Sequence, residues 1–245
     1  MAFGRRGLFS RADNPRDSGG FRVTLSSDVV DADFSNVVLL LDFAGTDGDT
    51  NFTDLSNSAH VETFINTIEI DDDIQFLGVN TLLTVGGGVV TIPDSADWDF
   101  GTGDFTVEFG GRTATDWTGQ RAFISVYDAP DGWWVRSNAG ALEFGEGDTV
   151  LKSETHSMAT DGTVHHIAVS RIGTNLRMFI DGVELGSATT DSTDLTGSTV
   201  VLSLGVLTGL TTQRLLGSIG ALRVTNGIGR YSAGFTPPTV FYPTS

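Results

Sequence analysis

Short apolar or alternating segments, separated by turn residues about every 8–12 positions, run from residue 34 to the end of the chain. Residues 104–109 alternate polar and apolar side chains with a period of two, which predicts a half-buried β-strand. Residues 37–43 form a mostly apolar run bounded by polar residues, which predicts a strand buried on both faces. No window has helical periodicity over more than a turn or two. The pattern therefore predicts an all-β protein.

Further strands are predicted at residues 167–171, 176–180, 183–185, 200–204 and 220–224. Asp181-Gly182 separates the strand at 176–180 from the strand at 183–185. An Asp-Gly pair is typical of two-residue hairpin turns because glycine accepts a positive φ. Many short strands with this turn spacing favour a two-sheet antiparallel sandwich. A chain of 245 residues is long enough to form one such domain with its own core.

The charge of the chain is −17, and it is distributed unevenly. The first 22 residues hold five arginines and two aspartates, a net of +3, so the remainder holds nine basic and 29 acidic groups, a net of −20. A body with this much negative charge repels the phosphates of nucleic acid. We therefore do not expect the main body to bind nucleic acid. The absence of cysteine excludes disulfides and thiol nucleophiles. No apolar run approaches the roughly 20 residues needed to span a bilayer.

Residues 1–30 differ in composition from the rest of the chain. They are rich in glycine, arginine, serine and aspartate, with Asn14-Pro15 and Ser18-Gly19-Gly20 as structure breakers. They also lack the apolar stretch of a secretory signal. We predict an extended basic N-terminal arm over residues 1–30 and a single domain over residues 31–245.

Three stretches together carry a family resemblance. They are residues 90–109 (VTIPDSADWDFGTGDFTVEF), residues 165–171 (HHIAVSR) with 176–182 (LRMFIDG), and residues 217–227 (GSIGALRVTNG) with Arg230-Tyr231 and residues 235–238 (FTPP). They resemble the laminin G-like, concanavalin A-like lectin/glucanase jelly roll. The third stretch is most similar to the version found in structural proteins of tailed bacteriophages. Residues 39–54 resemble the opening strand and turn of the same domains.

The resemblance implies a two-sheet antiparallel jelly-roll sandwich in a non-enzymatic virion protein. Such a protein would be displayed on the head or tail surface as a capsid decoration or fibre-type module, as a homo-oligomer or in many copies, with host surface glycans as an additional ligand. The arm would attach it to capsid or tail proteins. The residues expected to make that attachment are Arg5, Arg6 and Arg11, through ion pairs, and Phe3, Leu8 and Phe9, through apolar pockets. The alternatives are a carbohydrate-active enzyme and a secreted adhesin.

The sequence departs from the family pattern at three places. Val164 stands where such domains commonly have a tryptophan before the His-Ile-Ala-Val strand. Gly110-Gly111 follows Phe109 in place of a large aromatic residue, so the strand is expected to bulge or end early there. Gly86-Gly87-Gly88 stands near an expected Asp-Gly turn. These departures weaken the transfer of a ligand site from the family.

Catalysis by a glucanase needs two carboxylates that face one substrate. The nearest candidates are Glu143, Glu146 and Asp148. Glu143 and Glu146 are an odd number of residues apart, so an unbroken strand would point them to opposite faces, and Gly145 indicates a turn between them. The adjacent His165 and His166 would also point apart on a strand. We therefore predict no catalytic residues and no glycosidase activity.

Calcium is the one cofactor that the sequence leaves open. Carboxylates are dense at Asp47, Asp49 and Asp54 and again over residues 71–73, and calcium prefers several oxygen ligands. Turn formation explains these aspartates equally well, because aspartate hydrogen-bonds its own backbone in turns.

Tryptophans are the remaining candidates for contact with a glycan or a partner protein. Trp133 and Trp134 are adjacent, so on a strand one ring would enter the core while the other faces out or lines the sheet surface. Trp117 lies in a loop-like context. Core packing is the alternative role for all three.

Overall fold

The structure is a computed structural model that describes residues 30–66, 68–84, 88–113, 117, 119–158, 162–196, 198–209 and 213–245. The predicted arm, including Phe3, Arg5, Arg6, Leu8, Phe9 and Arg11, lies outside the described residues apart from position 30. Within the described ranges, the regular structure consists of strands and two short 3₁₀ helices, Phe34–Asn36 and Ala96–Trp98. No helix in these ranges is long and apolar enough to cross a membrane.

Sixteen strands occur in the described part of the chain. They are β1 (Val37–Leu41), β2 (Thr63–Ile65), β3 (Glu69–Phe76), β4 (Val79–Leu83), β5 (Val89–Ile92), β6 (Phe105–Thr113), β7 (Arg121–Ser125), β8 (Trp133–Asn138), β9 (Ala141–Glu146), β10 (Thr149–Thr155), β11 (His165–Ile172), β12 (Asn175–Ile180), β13 (Val183–Glu184), β14 (Thr189–Thr190), β15 (Leu202–Leu204) and β16 (Gly217–Asn226). The all-β prediction is confirmed.

The strands form two antiparallel sheets. The nine-stranded sheet has the order β13-β12-β11-β6-β16-β4-β3, with β1 also paired to β16 and β14 to β12. The seven-stranded sheet has the order β10-β9-β8-β7-β15-β5-β2. In both sheets, strands that lie side by side are often far apart in the sequence; β6, for example, pairs with β16. This is the jelly-roll sandwich that the turn spacing and the family resemblance predict.

The core lies between the two sheets because alternate residues of each strand point inward. Phe105, Val107 and Phe109 of β6 belong to the main apolar cluster, whereas Glu108 points to the opposite, outer face of the nine-stranded sheet. The prediction that this strand is half-buried is wrong, because its outer face is also buried, under residues that follow β16. The ring of Phe100 joins the two layers, since its centroid lies 4.5 Å from that of Phe105 and 5.0 Å from that of Trp133. The strand at Val37–Leu41 is largely buried on both faces, as its apolar run predicts.

The strand does not end at Gly110-Gly111 as one alternative predicted, but its pairing with β16 is irregular there: the register shifts between Gly220 and Arg223, which pair with Gly110 and Glu108. Strand β6 continues to Thr113, and the two glycines pair in register with His166 and His165 of β11. A Cβ atom on Gly110 would lie 2.5 Å from the ring of Phe76, and one on Gly111 would lie 2.7 Å from Ile167. The glycines therefore allow close side-chain packing on both faces of the strand and do not terminate it.

The Asp181-Gly182 hairpin is confirmed. Both residues have a positive φ, 49° and 74°, as two-residue turns with the twist of flanking strands require. The turn joins β12 to β13, in which Ile180 pairs with Val183. The carbonyl oxygen of Gly182 accepts a 2.9 Å hydrogen bond from the backbone N–H of Phe235, so the hairpin also holds the C-terminal segment.

Residues 228–245, here called the C-terminal segment, cover the outer face of the nine-stranded sheet. Tyr242 is buried there in a second apolar cluster with Val37, Leu40 and Ala221. The rings of Tyr231 and Phe235 stack with centroids 3.7 Å apart and an angle of 7°. The backbone N–H of Asp31 donates a 2.8 Å hydrogen bond to the carbonyl oxygen of Ser245. The first described residues and the last thus meet on the same face of the sandwich.

Candidate ligand-binding face

The outer face of the seven-stranded sheet carries polar side chains over its β8–β10 half. Residues 133, 135, 142 and 144 of β8 and β9 belong to the main core cluster, so the alternate residues point away from it. Arg136 and Glu143 are paired across these strands and share this outer face. The sequence pattern around Trp133-Trp134 predicts this alternation, but it does not predict which strand lies beside β8.

Glu143 is the centre of the polar contacts on this face. Its Oε2 accepts a 2.8 Å hydrogen bond from Nε of Arg136, and its Oε1 accepts from Nδ2 of Asn138 at 3.3 Å and from Oγ of Ser153 at 3.4 Å. Arg136 also donates from Nη1 to Oε1 of Gln213 at 3.2 Å. We call these five residues the polar row. It combines a carboxylate, a guanidinium, two amides and a hydroxyl, which are the groups that recognise ligand hydroxyls.

Trp134 lies beneath the polar row. The guanidinium carbon of Arg136 lies 4.1 Å from the centroid of the Trp134 ring, a cation–π contact. The indole Nε1 donates a 2.8 Å hydrogen bond to the carbonyl oxygen of Gly147, and Leu207 packs in the same small apolar cluster. Only 1% of Trp134 is exposed. The ring therefore supports Arg136 from below and does not present a free surface in this structure.

The other two predicted contact tryptophans are also buried. Trp133 points into the core as predicted for one member of the pair, and its Nε1 donates a 2.9 Å hydrogen bond to the carbonyl oxygen of Trp98. Trp117 is 5% exposed and packs 6.0 Å from the ring of Phe123. All three rings thus have the packing role in this structure, and their contact with a glycan or partner stays a prediction.

A groove of about 300 Å³ lies on the β2–β15 half of the same outer face. Apolar and hydroxyl-bearing side chains line it, together with Arg214; they are Ile65, Val89, Thr91, Val201, Ser203, Val206 and Thr208. Ile65 is 43% exposed and Val201 is 36% exposed. The groove and the polar row together form what we call the candidate face.

Residues 213–214 connect the two parts of the candidate face. The backbone N–H of Ala122 in β7 donates a 3.2 Å hydrogen bond to the carbonyl oxygen of Gln213, and Ala122 also forms an isolated bridge with Arg214. Gln213 contacts the polar row while Arg214 lines the groove. The sequence alone does not indicate a site at Arg136, Asn138, Ser153 and Gln213. These side chains come together only through strand pairing and through a loop more than 70 residues away from Arg136.

The predicted separation of Glu143 from Glu146 is confirmed. Strand β9 runs unbroken through both residues, with Glu143 paired to Arg136 and Glu146 paired to Trp133, so the two carboxylates point to opposite faces. The turn indicated at Gly145 is wrong, because Gly145 lies within the strand and the turn falls on residues 147–148. Asp148 lies in that turn and accepts a 2.7 Å hydrogen bond from the hydroxyl of Tyr127.

Glu146 lies near other acidic groups. Burial raises its pKa, and Asp131, Asp191 and Asp194 raise it further through charge repulsion. Glu146 and Glu143 therefore face different neighbours, and the two do not form the paired carboxylates that a retaining glycosidase needs on one side of its substrate.

Four of the aspartates considered for calcium accept hydrogen bonds from backbone N–H groups; they are Asp49, Asp54, Asp71 and Asp72. Asp54 is buried, and its two carboxylate oxygens accept from the N–H groups of Leu40, Ser56 and His60. Asp71 accepts from the N–H of Asp73. Among the described residues, no group of three or more acidic or histidine side chains is placed to hold a metal ion. Calcium binding stays a prediction without a site in this part of the chain.

A second polar cluster lies on the opposite side of the molecule, beneath the C-terminal segment. Oε1 of Glu108 accepts from Nη2 of Arg223 at 2.7 Å, and Oε2 accepts from the hydroxyl of Tyr231 at 2.7 Å. Nε2 of His166 lies 3.2 Å from the same Oε2. Arg223 also forms an ion pair with Asp31 at 3.0 Å. We call this cluster the Glu108 network.

Electrostatics keep Glu108 charged although the side chain is fully buried. Burial alone would raise the pKa of Glu108, but the Arg223 guanidinium, His166 and the Tyr231 hydroxyl lower it to about 2. Burial and the neighbouring carboxylate correspondingly raise the pKa of Tyr231. Glu108 itself is fully buried, whereas Arg223 and Tyr231 also line a pocket of about 320 Å³ between the sheet and residues 235–243. The contacts of the network hold the C-terminal segment and Asp31 against the sheet.

The family model described as the concanavalin A-like lectin/glucanases superfamily matches residues 84–228. Among solved structures, the fold is similar to domain 4 of an extracellular arabinanase from Geobacillus stearothermophilus in complex with arabinotriose. That comparison has a TM-score of 0.61 and 17% identity, and it covers 78% of this chain and 93% of that chain. No curated protein sequence matches the chain.

Toxin binding domains also have a similar fold. The binding domain of Paraclostridial mosquitocidal protein 1 matches with a TM-score of 0.59 and 12% identity over 80% of this chain and 50% of that one. The binding domain of botulinum neurotoxin serotype C1 matches with a TM-score of 0.57 and 13% identity over the same shares. This chain therefore spans about half the length of these toxin domains. At such identities the likeness establishes the fold alone.

Proposed function

The chain belongs to the concanavalin A-like lectin/glucanase superfamily, and from that premise we propose that it is a non-enzymatic, glycan-binding structural protein of a tailed bacteriophage particle. It would be displayed on the head or tail surface as a capsid decoration or fibre-type module. Its basic arm would attach it to capsid or tail proteins, and its candidate face would bind neutral glycans of the host surface.

The observation that carries this proposal is the difference between the two outer faces of the sandwich. The nine-stranded sheet is covered by the C-terminal segment, and Asp31, where the arm joins the body, is bound there by Arg223 and Arg230. The seven-stranded sheet carries the polar row and the open groove on the opposite side. An arm that leaves from the closed side would direct the candidate face away from the particle.

A binding role is favoured over an enzymatic one by the placement of the carboxylates. Glu143 shares its face with Arg136 and not with Glu146, so Glu143 and Glu146 do not form a pair that could act together on a substrate at the candidate face. Two-carboxylate hydrolysis needs an acid and a base or nucleophile on the same substrate. The solved relatives described above are binding domains or a domain in complex with a sugar, which agrees with this preference.

The virion context rests on the family resemblance of the C-terminal motifs. Arg230 and Tyr231 of that ending take part in the Glu108 network, and Phe235 stacks on Tyr231, so these residues hold the closed face together. A net charge of −17 would also limit nonspecific adhesion of a protein present in many copies. The secreted adhesin and the carbohydrate-active enzyme remain the alternatives that experiments must separate from this proposal.

Glycan binding can be tested with a neutral-glycan array and two matched arginine variants. Arg136→Ala removes the guanidinium from the polar row, and we expect it to weaken binding at least tenfold, about 1.4 kcal/mol. Arg177→Ala removes an arginine that pairs with Glu184 at 3.2 Å on the other sheet, and binding should be unchanged. Equal losses in both variants, or no glycan binding by the wild type, would contradict the proposal. Release of sugar from a bound glycan would instead support the enzyme alternative.

A further inference from the structure

A cavity of about 500 Å³ lies outside the candidate face, in the loop that follows β1. Its lining comes from residues 42–55, and it includes Asp42, Asn51, Phe52 and Thr53. Phe52 packs with its ring centroid 5.1 Å from that of Phe64 in β2, the edge strand of the seven-stranded sheet. The cavity therefore opens at the rim of the sandwich, beyond that edge strand.

The aromatic wall of this cavity has a fixed orientation. Phe52 is half-buried, and its ring makes edge-to-face contacts with Phe43, at 4.9 Å and 83°, and with Phe64, at 67°. Phe43 is fully buried and has a φ of 49°, a conformation that large side chains rarely adopt. Asp42 and Ala44, on either side of Phe43, both line the cavity. A rigid ring of this kind offers an apolar surface to the C–H face of a sugar.

The polar side chains around the ring have unused hydrogen-bonding capacity. Oδ1 of Asp42 accepts a 2.9 Å hydrogen bond from the backbone N–H of Ala44, which holds the carboxylate in place and leaves Oδ2 for another donor. Asn51 and Thr53 are exposed, and their side chains form no hydrogen bond within the described residues. A carboxylate oxygen, an amide and a hydroxyl thus surround one aromatic ring, and adjacent ligand hydroxyls could both donate to and accept from them.

The charge of the cavity restricts the ligand. Asp42 takes part in no ion pair among the described residues, and the lining contains no cationic side chain. The chain as a whole has a net charge of −17, and its electrostatic field also repels anionic ligands. Anionic sugars would therefore be repelled, whereas uncharged hydroxyls would be accepted.

We propose that the cavity lined by Asp42, Asn51, Phe52 and Thr53 is a second carbohydrate site, which binds a single neutral sugar unit through adjacent hydroxyl groups and its C–H face. The inference rests on the proposed glycan-binding function, but it uses none of the residues of the candidate face. The carboxylate of Asp42 accepts one ligand hydroxyl, Asn51 bonds a neighbouring one, and Phe52 supports the ring of the sugar.

Amide NMR spectra of the full chain can test the site with two closely matched probes. Methyl β-D-glucopyranoside and methyl β-D-glucuronide differ only in the charged group at C6, and arabinotriose serves as a furanose probe. We expect millimolar concentrations of a neutral probe to shift the amide signals of residues 42–44 and 51–53, with the glucuronide at least tenfold weaker. Asp42→Asn keeps the acceptor for Ala44 but removes the charge, and Asn51→Ala removes the amide; each should weaken binding at least tenfold.

Asp47→Asn is the matched control, because Asp47 is an exposed aspartate of the same loop that does not line the cavity. Its affinity for the neutral probes should equal that of the wild type. No shift at residues 42–44 and 51–53 with any neutral probe would overturn the inference, as would shifts that require added calcium. Shifts confined to residues 136, 143 and 153 would overturn the second site while supporting the proposed function. Shifts confined to the cavity would support the second site and contradict the role of the candidate face.

Discussion

Glu108 is the residue on which the polar contacts beneath the C-terminal segment converge. A fully buried carboxylate is costly unless it is paired and hydrogen-bonded, and here Arg223, Tyr231 and His166 supply those partners. Local sequence predicts that Glu108 points away from the core, because its strand alternates. It does not predict the partner, because Arg223 is 115 positions further along the chain.

The depressed pKa of Glu108 predicts a specific loss of stability in acid. Its pKa is about 2 in the folded protein, below the ordinary value of 4.5. The corresponding stabilisation is present above pH 4.5 and is lost as the pH falls through about 2; it is on the order of 3 kcal/mol. Glu108→Gln should therefore lower the free energy of unfolding at pH 7 and flatten its decrease between pH 5 and 2, as measured by urea denaturation.

Glu184→Gln provides the control for this measurement, because Glu184 belongs to a partly exposed ion pair with Arg177. Exposed pairs contribute about 0–1 kcal/mol, so this variant should keep the acid profile of the wild type. If the Glu108 variant kept the steep acid profile as well, the Glu108 network would not be a source of the pH dependence.

Gly110 shows a second limit of local inference at the residue scale. Two consecutive glycines in a strand usually indicate a bulge or an end. Here β6 continues through them, the extra residue of the irregular pairing lies in the neighbouring strand β16, and Phe76 and Val164 occupy the space over Gly110. Those neighbours belong to other segments, so a local reading of the sequence cannot identify them.

Gly110→Ala should destabilise the protein by about 1–3 kcal/mol, since the new methyl group would lie 2.5 Å from the Phe76 ring. Thermal denaturation of a double-mutant cycle can check the cause. If crowding is the reason, Phe76→Leu should reduce the cost of Gly110→Ala, giving less than additive losses. Strict additivity would show that the glycine is needed for some other reason.

At the scale of elements, the sequence predicts best those features that depend on neighbouring residues. The apolar run of β1 and the Asp181-Gly182 hairpin are confirmed. Strand β6 alternates between the core and the outer face as predicted, but it is buried on both faces and not half-buried, because the C-terminal segment covers its outer face. The short strand β14 also pairs with β12, an arrangement that no local pattern indicates. Tertiary pairing decides such elements, because a strand of two residues has too little periodicity to be recognised.

The candidate face is also an element-scale feature that the sequence predicts only in part. Alternation in β8 and β9 places Arg136 and Glu143 on the side opposite the core, as it does for Trp134. The sequence does not indicate that Arg136 and Leu207 cover the tryptophan, nor that Gln213 completes the polar row. Leu207 and Gln213 lie between β15 and β16, far in sequence from β8, so the local pattern of β8 cannot reveal these contacts.

At the scale of the whole molecule, the C-terminal segment covers one outer face of the sandwich, here called the closed side, whereas the polar row and the groove lie on the other. Asp31 and Ser245 meet on the closed side, and the Glu108 network holds both the C-terminal segment and Asp31, which follows the predicted arm. Among the described residues, the apolar clusters contain no residue before Phe34, so we expect the body to fold without residues 1–30.

Deletion of residues 1–30 should therefore leave the domain folded, with a melting temperature close to that of the full chain. It should also abolish incorporation into particles, because the predicted attachment groups of the arm would be lost. Quantitative mass spectrometry of purified particles measures the copy number directly. A truncated chain present at the normal copy number would move the attachment role to the surface of the body.

The orientation of the domain on the particle tests the central claim most directly, and a cryo-electron microscopy map of particles carrying this protein would measure it. We predict that the closed side, with Asp31 and the C-terminal segment, lies towards the capsid or tail, and that the polar row around Arg136 and Glu143 faces solvent. A map in which the seven-stranded sheet is buried against another virion protein, or in which the chain is absent from the particle, would contradict the account.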